Sequence, residues 1–171
     1  MAENRCLFPG SFDPVTMGHL DIIRRAASVF DEVVVGVLHN PEKPGRFPVE
    51  RRIAMLEKAC AGIPGVKITA FGGLTVDLAR QMDVRVLVRG VRGPADLESE
   101  TAMAAVNRVL LPGLETVFLP AATGKNAISS TMVCQLAAFG APLDGFVPDV
   151  LIDEIRAAYA RKEKGGDHCA Q

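Results

Sequence analysis

Cysteine is sparse and scattered in this chain of 171 residues: Cys6, Cys60, Cys134 and Cys169 never form a C-x-x-C pair. That pattern argues against a disulfide framework or a locally spaced zinc site, and points to buried or free thiols in a reducing cytosol. Excess charge is missing as well. Nineteen basic residues against twenty acidic ones give a formal net charge of −1, which leaves no broad electrostatic footprint for nucleic acid or an anionic membrane. A local basic pocket is still compatible with that balance. No apolar run approaches the length of a membrane span, and none follows Met1–Arg5 as a signal peptide would require. The expected setting is therefore cytoplasmic.

Several chemical fingerprints are also absent. There is no G-x-G-x-x-G and no H-E-x-x-H, and three scattered histidines cannot assemble a zinc site by local spacing. Gly124-Lys125-Asn126 looks like the end of a P-loop. The earlier glycine of that motif would fall at Leu119, however, and Asn126 stands where Ser or Thr is needed. Cys134 has no evident activating partner and reads as a core residue.

What is present reads as one domain over residues 1–162, with a charged tail, 163–171, expected to fray. Hydrophobic residues make up 49% of the chain, enough for a real core. Apolar runs and helical periodicity alternate from end to end. Strands are expected at Arg5–Phe8, Val33–Leu38, Val66–Phe71, Val84–Val88 and Glu115–Leu119. Helices are expected at Met17–Phe30, Val49–Ala61, Thr75–Met82, Pro94–Leu111, Ser129–Phe139 and Pro148–Lys162. This alternation implies an α/β fold, a doubly wound parallel five-stranded sheet of Rossmann-like type with right-handed crossovers.

In such a sheet ligands bind beyond the carboxyl ends of the strands, so the loops there carry the functional reading. Four of them hold phosphate-binding residue types. Pro9–His19 joins a strand to a helix start. With Thr16 as N-cap, His19 falls at the third helical position, beside backbone N–H groups that have no intrahelical partner. Ser11 adds a hydroxyl, and Gly10 allows close backbone approach. A second loop, His39–Phe47, offers Lys43 and Arg46, although by itself it reads as a solvated surface loop. A third, Arg89-Gly90-Val91-Arg92-Gly93, places two arginines after a buried strand with no acid among them. Guanidinium forks match phosphate oxygens bidentately. The fourth, Ile128-Ser129-Ser130-Thr131, is a hydroxyl-rich helix start that plain N-capping explains equally well.

With these residues in hand, the chain resembles the nucleotidylyltransferase superfamily, and within it the bacterial phosphopantetheine adenylyltransferases. Gly10–His19 is similar to the superfamily element G-[ST]-F-D-P-x-T-x-G-H. Asn40-Pro41-x-Lys43, Arg89-Gly90-x-Arg92, Asp96 to Glu100, Asn107-Arg108 and Ile128-Ser129-Ser130 carry the likeness to the narrower family. The resemblance implies a nucleotidylyltransferase fold and transfer of AMP from ATP to 4′-phosphopantetheine, giving 3′-dephospho-coenzyme A and pyrophosphate in coenzyme A biosynthesis. It further implies Mg²⁺, a homohexamer and feedback inhibition by coenzyme A; metal ligands are not assigned.

By the same resemblance, the catalytic set is His19, Ser11, Lys43 and Arg89. Ser11 and His19 would address the α-phosphate of ATP, and Lys43 and Arg89 the acceptor phosphate. Arg92, Ser129 and Ser130 would hold the β- and γ-phosphates. Phe12, Gly90, Glu100 and Thr131 would complete the nucleotide site, while Leu74 and Asn107 would line the pantetheine arm. The mechanism implied is direct in-line attack without a covalent intermediate. Ser99, Lys125-Asn126-Ala127 and Cys134-Gln135 depart from the family pattern at positions concerned with adenine and pantetheine packing. Nicotinate mononucleotide or phosphoglycerol acceptors, and a non-catalytic nucleotide-binding module, are the competing readings. A class I aminoacyl-tRNA synthetase shares the histidine-bearing helix start, but 171 near-neutral residues leave no room for a tRNA-binding domain.

Overall fold

The computed structural model describes residues 4–39 and 45–163. The chain runs β1 (Arg5–Gly10), α1 (Met17–Ala27), β2 (Glu32–His39), α2 (Val49–Cys60), β3 (Val66–Gly72), α3 (Thr75–Gln81), β4 (Val86–Val91), α4 (Pro94–Leu110), β5 (Glu115–Pro120), α5 (Ser130–Ala138), a 3₁₀ turn (Asp149–Leu151) and α6 (Ile152–Glu163). All strand pairs are parallel, in the order β3-β2-β1-β4-β5. This is the doubly wound α/β sheet expected from the alternating pattern.

Alternation along the central strands divides the core in two. Cys6 and Phe8 of β1 and Val33, Val35 and Val37 of β2 join side chains of α1, α2, α5 and α6 in one cluster. Leu7 and Val34 point the other way, against Val76, Leu78 and Ala79 of α3. Both faces are covered, which is why these strands read as continuous apolar runs. The remaining helix, α4, buries none of its 17 residues. Among the described residues, no helix is long and apolar enough to cross a membrane.

The sheet order reverses between β1 and β4, the place where an open α/β sheet opens a crevice. Here the β1–β4 ladder is confined to Leu7–Leu87. Pro9 has no N–H with which to extend it, and the Arg89 guanidinium donates to the Pro9 carbonyl at 2.6 Å instead.

The structure shifts some expected boundaries. Val84 lies before β4, its N–H closing the turn after α3 on Ala79. Arg89, Gly90 and Val91, expected as loop, continue β4 because β5 pairs with them as Phe118, Leu119 and Pro120. Helix α1 stops at Ala27, where the Ser28 hydroxyl donates to the Arg25 carbonyl. The last helix is preceded by the 3₁₀ turn instead of starting at Pro148.

Candidate active site

Three of the four phosphate-type loops converge on one cleft of about 330 Å³ at the carboxyl ends of β1 and β4. Ser11, His19, Arg89, Gly90, Arg92, Glu100, Ser129, Ser130 and Thr131 all line it. A second cavity of about 340 Å³ adjoins the first and shares Ser11, Arg89 and Glu100 with it. Asn107 lines this second cavity; Leu74 instead sits 55% exposed at the N-cap of α3, one residue before the lining Thr75. Lys43, with Asn40 and Pro41, lies outside the described residues, as does the expected tail from 164 onward. Arg46 borders a third cavity beside Ser11.

Local structure explains how His19 is held. Thr16 is the N-cap of α1, its hydroxyl accepting from the His19 N–H at 3.3 Å. The Thr16 N–H in turn donates to His19 Nδ1 at 3.1 Å, so cap and histidine complete a reciprocal capping box. An Nδ1 that accepts carries no proton, which places the imidazole proton on Nε2. Burial lowers the His19 pKa to about 4, with the positive charges of Arg92 and Arg89 adding to the effect. At neutral pH His19 is therefore a neutral donor through Nε2–H.

Phe12 enters this site from beneath. It is fully buried at φ +48°, and its ring meets His19 edge-on with centroids 5.0 Å apart. Its ring backs the histidine, and the residue itself borders the cleft. Gly90 is needed for packing. A Cβ there would lie 2.9 Å from Cγ1 of Ile22, separating β4 from the helix that carries His19.

The arginines arrive paired. Although no acid lies within Arg89–Gly93, α4 brings two. Glu100 takes a bidentate bond from Arg89 at 2.7 and 2.6 Å, and Asp96 accepts from the Arg92 side chain at 3.2 and 3.3 Å. The Arg92 guanidinium holds the Asp96 carboxyl below its usual range, and Asp96 in turn raises the pKa of Arg92. Both cations are therefore oriented before any ligand arrives. At α5, the Ser129 hydroxyl caps the helix by accepting from Met132 N–H at 3.2 Å. It keeps its own proton for a ligand. The Ser130 hydroxyl proton is committed to the Pro14 carbonyl at 2.8 Å, so what Ser130 offers as a donor is its backbone N–H in the first turn. Cys134 is buried, its Sγ 3.8 Å from the Asp13 carbonyl, in keeping with a packing role.

Sequence reasoning passed over Arg52 and the carboxylate of Asp13, two neighbours of Ser11. A signal for Arg52 existed: it falls on the stripe of α2 that buries Met55, Leu56 and Cys60, where a cation needs specific partners.

Comparison with known proteins bears on this site. The cytidylyltransferase-like family model matches residues 7–136, a span containing every lining residue just described. Phosphopantetheine adenylyltransferase of Gloeobacter violaceus is 48% identical over 154 residues, covering 90% of this chain and 96% of that protein. Those of Symbiobacterium thermophilum (48% over 159 residues, 93% and 98% covered) and Finegoldia magna (44% over 163 residues, 95% and 100%) are similarly close. In fold, the chain matches a solved structure described as a nicotinate-nucleotide adenylyltransferase candidate from Vibrio parahaemolyticus. The TM-score is 0.69 at 14% identity, over 92% of this chain and 95% of that one.

Proposed function

The chain belongs to the phosphopantetheine adenylyltransferase family, within the cytidylyltransferase-like group, and from that membership we propose that it transfers AMP from ATP to 4′-phosphopantetheine, forming 3′-dephospho-coenzyme A and pyrophosphate. The observation that carries this reading is the pair of adjoining cavities sharing Ser11, Arg89 and Glu100. Two phosphorylated substrates can each occupy one cavity and meet at the shared wall.

In the reaction, an oxygen of the acceptor phosphate attacks the α-phosphorus of ATP as the bond to the β-phosphate bridging oxygen breaks. The electron pair leaves with pyrophosphate. Catalysis then consists of positioning and charge stabilisation. Neutral His19 donates Nε2–H to an α-phosphate oxygen as negative charge builds there. Arg92, Ser129 and the first-turn N–H groups of α5 hold the β- and γ-phosphates. Arg89 stands between the cavities, where with Lys43 it orients the acceptor phosphate, while Ser11, on the shared wall, reaches both that phosphate and the α-phosphate of ATP. Glu100 fixes Arg89 and borders both substrates; Asn107 contacts the pantetheine arm and Leu74 flanks it.

Among the described residues, no three His, Cys, Asp or Glu side chains come together as a metal cage. Asp96 and Glu100, the acids of the cleft, are already paired with arginines. Mg²⁺ would accordingly enter on the triphosphate as part of the substrate, keeping water ligands. Coenzyme A has the product's own skeleton and is expected to inhibit by occupying both cavities. Three buried free thiols, Cys6, Cys60 and Cys134, suit a cytoplasmic setting. The exposed apolar side chains of α4 support assembly into the homohexamer implied by family resemblance. Val109 is 80% exposed, and Met103, Val106 and Leu110 are 45–56% exposed.

A panel of phosphorylated acceptors with radiolabelled ATP tests the assignment. Labelled dephospho-coenzyme A is the expected product. Turnover of nicotinate mononucleotide or a phosphoglycerol, with 4′-phosphopantetheine inert, would refute it.

A further inference from the structure

Arg52 projects from α2 and is only 5% exposed, yet its hydrogen bonds among the described residues all go to carbonyls. Its Nε donates to Phe47 O at 3.1 Å, and its Nη1 to Ser11 O at 2.6 Å and Leu38 O at 3.0 Å. Asp13 grips the same segment from the opposite side. Its Oδ1 accepts the Phe47 N–H at 2.8 Å and its Oδ2 the Arg46 N–H at 2.6 Å. Phe47, buried to 3% exposure, is thus held at both its N–H and its C=O. The turn after β1, the end of β2 and the entry to α2 are locked together through it.

Ser11 is the residue with most to gain from this lock. It borders all three cavities and is exposed, and among the described residues its hydroxyl makes no hydrogen bond, so its backbone sets where that hydroxyl sits. A buried guanidinium can make several directed bonds at once, which a lysine ammonium at the same place cannot reproduce. Gly45 fits the same picture. A Cβ there would come within 2.6 Å of Asp13 Oδ2, the oxygen that accepts the Arg46 N–H.

We propose that Asp13 and Arg52 form a clasp that positions Ser11 at the junction of the two substrate cavities, making both of them positioning residues for phosphoryl transfer. The inference rests on the reading of Ser11 as a contact of the reacting phosphates. Misplacing such a group by about an ångström costs on the order of 10²-fold in rate, so a partial displacement should be measurable without unfolding the protein.

Gly45→Ala disturbs the clasp while leaving every charged group in place, and Arg52→Lys keeps the charge while losing the directed bonds. Each is made alone, and Gly45→Ala also in a Ser11→Ala background. Steady-state kinetics for 4′-phosphopantetheine, the equilibrium Kd for ATP and the thermal midpoint are measured on each. The expected result is a fall of about tenfold in kcat/KM for the acceptor with Gly45→Ala and more with Arg52→Lys, the ATP Kd staying within about twofold. In the Ser11→Ala background, Gly45→Ala should add little, because its effect runs through that residue. Undiminished kcat/KM in folded Gly45→Ala would overturn the clasp. So would a penalty that persists in full without the Ser11 hydroxyl, or one that weakens ATP and acceptor equally along with the melting temperature. Wild-type protein inert towards 4′-phosphopantetheine would instead remove the functional reading, and the clasp's role with it.

Discussion

Replacing His19 separates the cap that the structure shows from the phosphate-donor role proposed for the same ring. Nδ1 accepts the N–H of Thr16, a residue 1% exposed, while Nε2–H is the donor available to the cleft. His19→Ala removes both. Leaving the buried Thr16 N–H unpaired costs about 1–3 kcal/mol of stability, or several degrees in melting temperature for a chain of this size. Loss of one preorganised donor to a developing phosphoryl charge lowers kcat by roughly 10²–10³-fold, about 2.7–4 kcal/mol. His19→Asn divides the two effects, since its Oδ1 reaches the place of Nδ1 and nothing reaches that of Nε2. Its stability should return towards wild type while kcat stays as low as in the alanine variant. Pyrophosphate release and thermal unfolding measure the two quantities. Wild-type kcat in His19→Asn would reduce the histidine to a helix cap. The same ring can be followed by ¹⁵N NMR. With a folded pKa of about 4 against an ordinary 6.5, folding favours the neutral form, so acidification below 6.5 works against stability until protonation near 4. His19 should remain a neutral Nε2–H tautomer at pH 5.5, and a midpoint near 6.5 would contradict its assigned surroundings.

Other perturbations follow from single contacts. Arg92→Ala should weaken ATP binding by about tenfold or more, since a charge-assisted contact is lost and Asp96 is left facing the triphosphate; an unchanged Kd by calorimetry would remove Arg92 from the site. Gly90→Ala should cost about 1–3 kcal/mol by overpacking against Ile22, and less in an Ile22→Ala background; equal penalties in both backgrounds would refute that contact. Val106→Glu with Val109→Glu places charge on the exposed face of α4 and should dissociate the proposed homohexamer in light scattering; a wild-type mass of one chain, or a mass the variant leaves unaltered, would refute α4 as its interface.

Much of this site was legible because its local chemistry is short-range. Thr16 and His19 dictate an N-cap and a third helical position, and the structure has both, whereas the first strand, expected to end at Phe8, runs on to Gly10 because β2 pairs with Pro9 and Gly10. Continuous Val runs announced a sheet buried on both faces, and α3 and the α1–α2–α5–α6 layer cover them. What escaped depends on distance in space. Nothing around Arg89 foretells that Glu100 will turn back on it from α4, or that β5 will draw Arg89 and Gly90 into strand pairing. The hydroxyls of Ser129 and Ser130 look alike in sequence, yet one caps its own helix and the other reaches across to Pro14. Arg52 is a charged residue on an apolar stripe, a signal whose meaning emerges only once Ser11, Leu38 and Phe47 gather around it.

Pyrophosphate release from ATP, followed with and without 4′-phosphopantetheine, tests direct transfer at these two adjoining cavities most plainly. One pyrophosphate should appear for each 3′-dephospho-coenzyme A formed, with none above background when the acceptor is left out and no AMP retained on the protein. Acceptor-independent release, or an adenylylated chain in the mass spectrum, would contradict it.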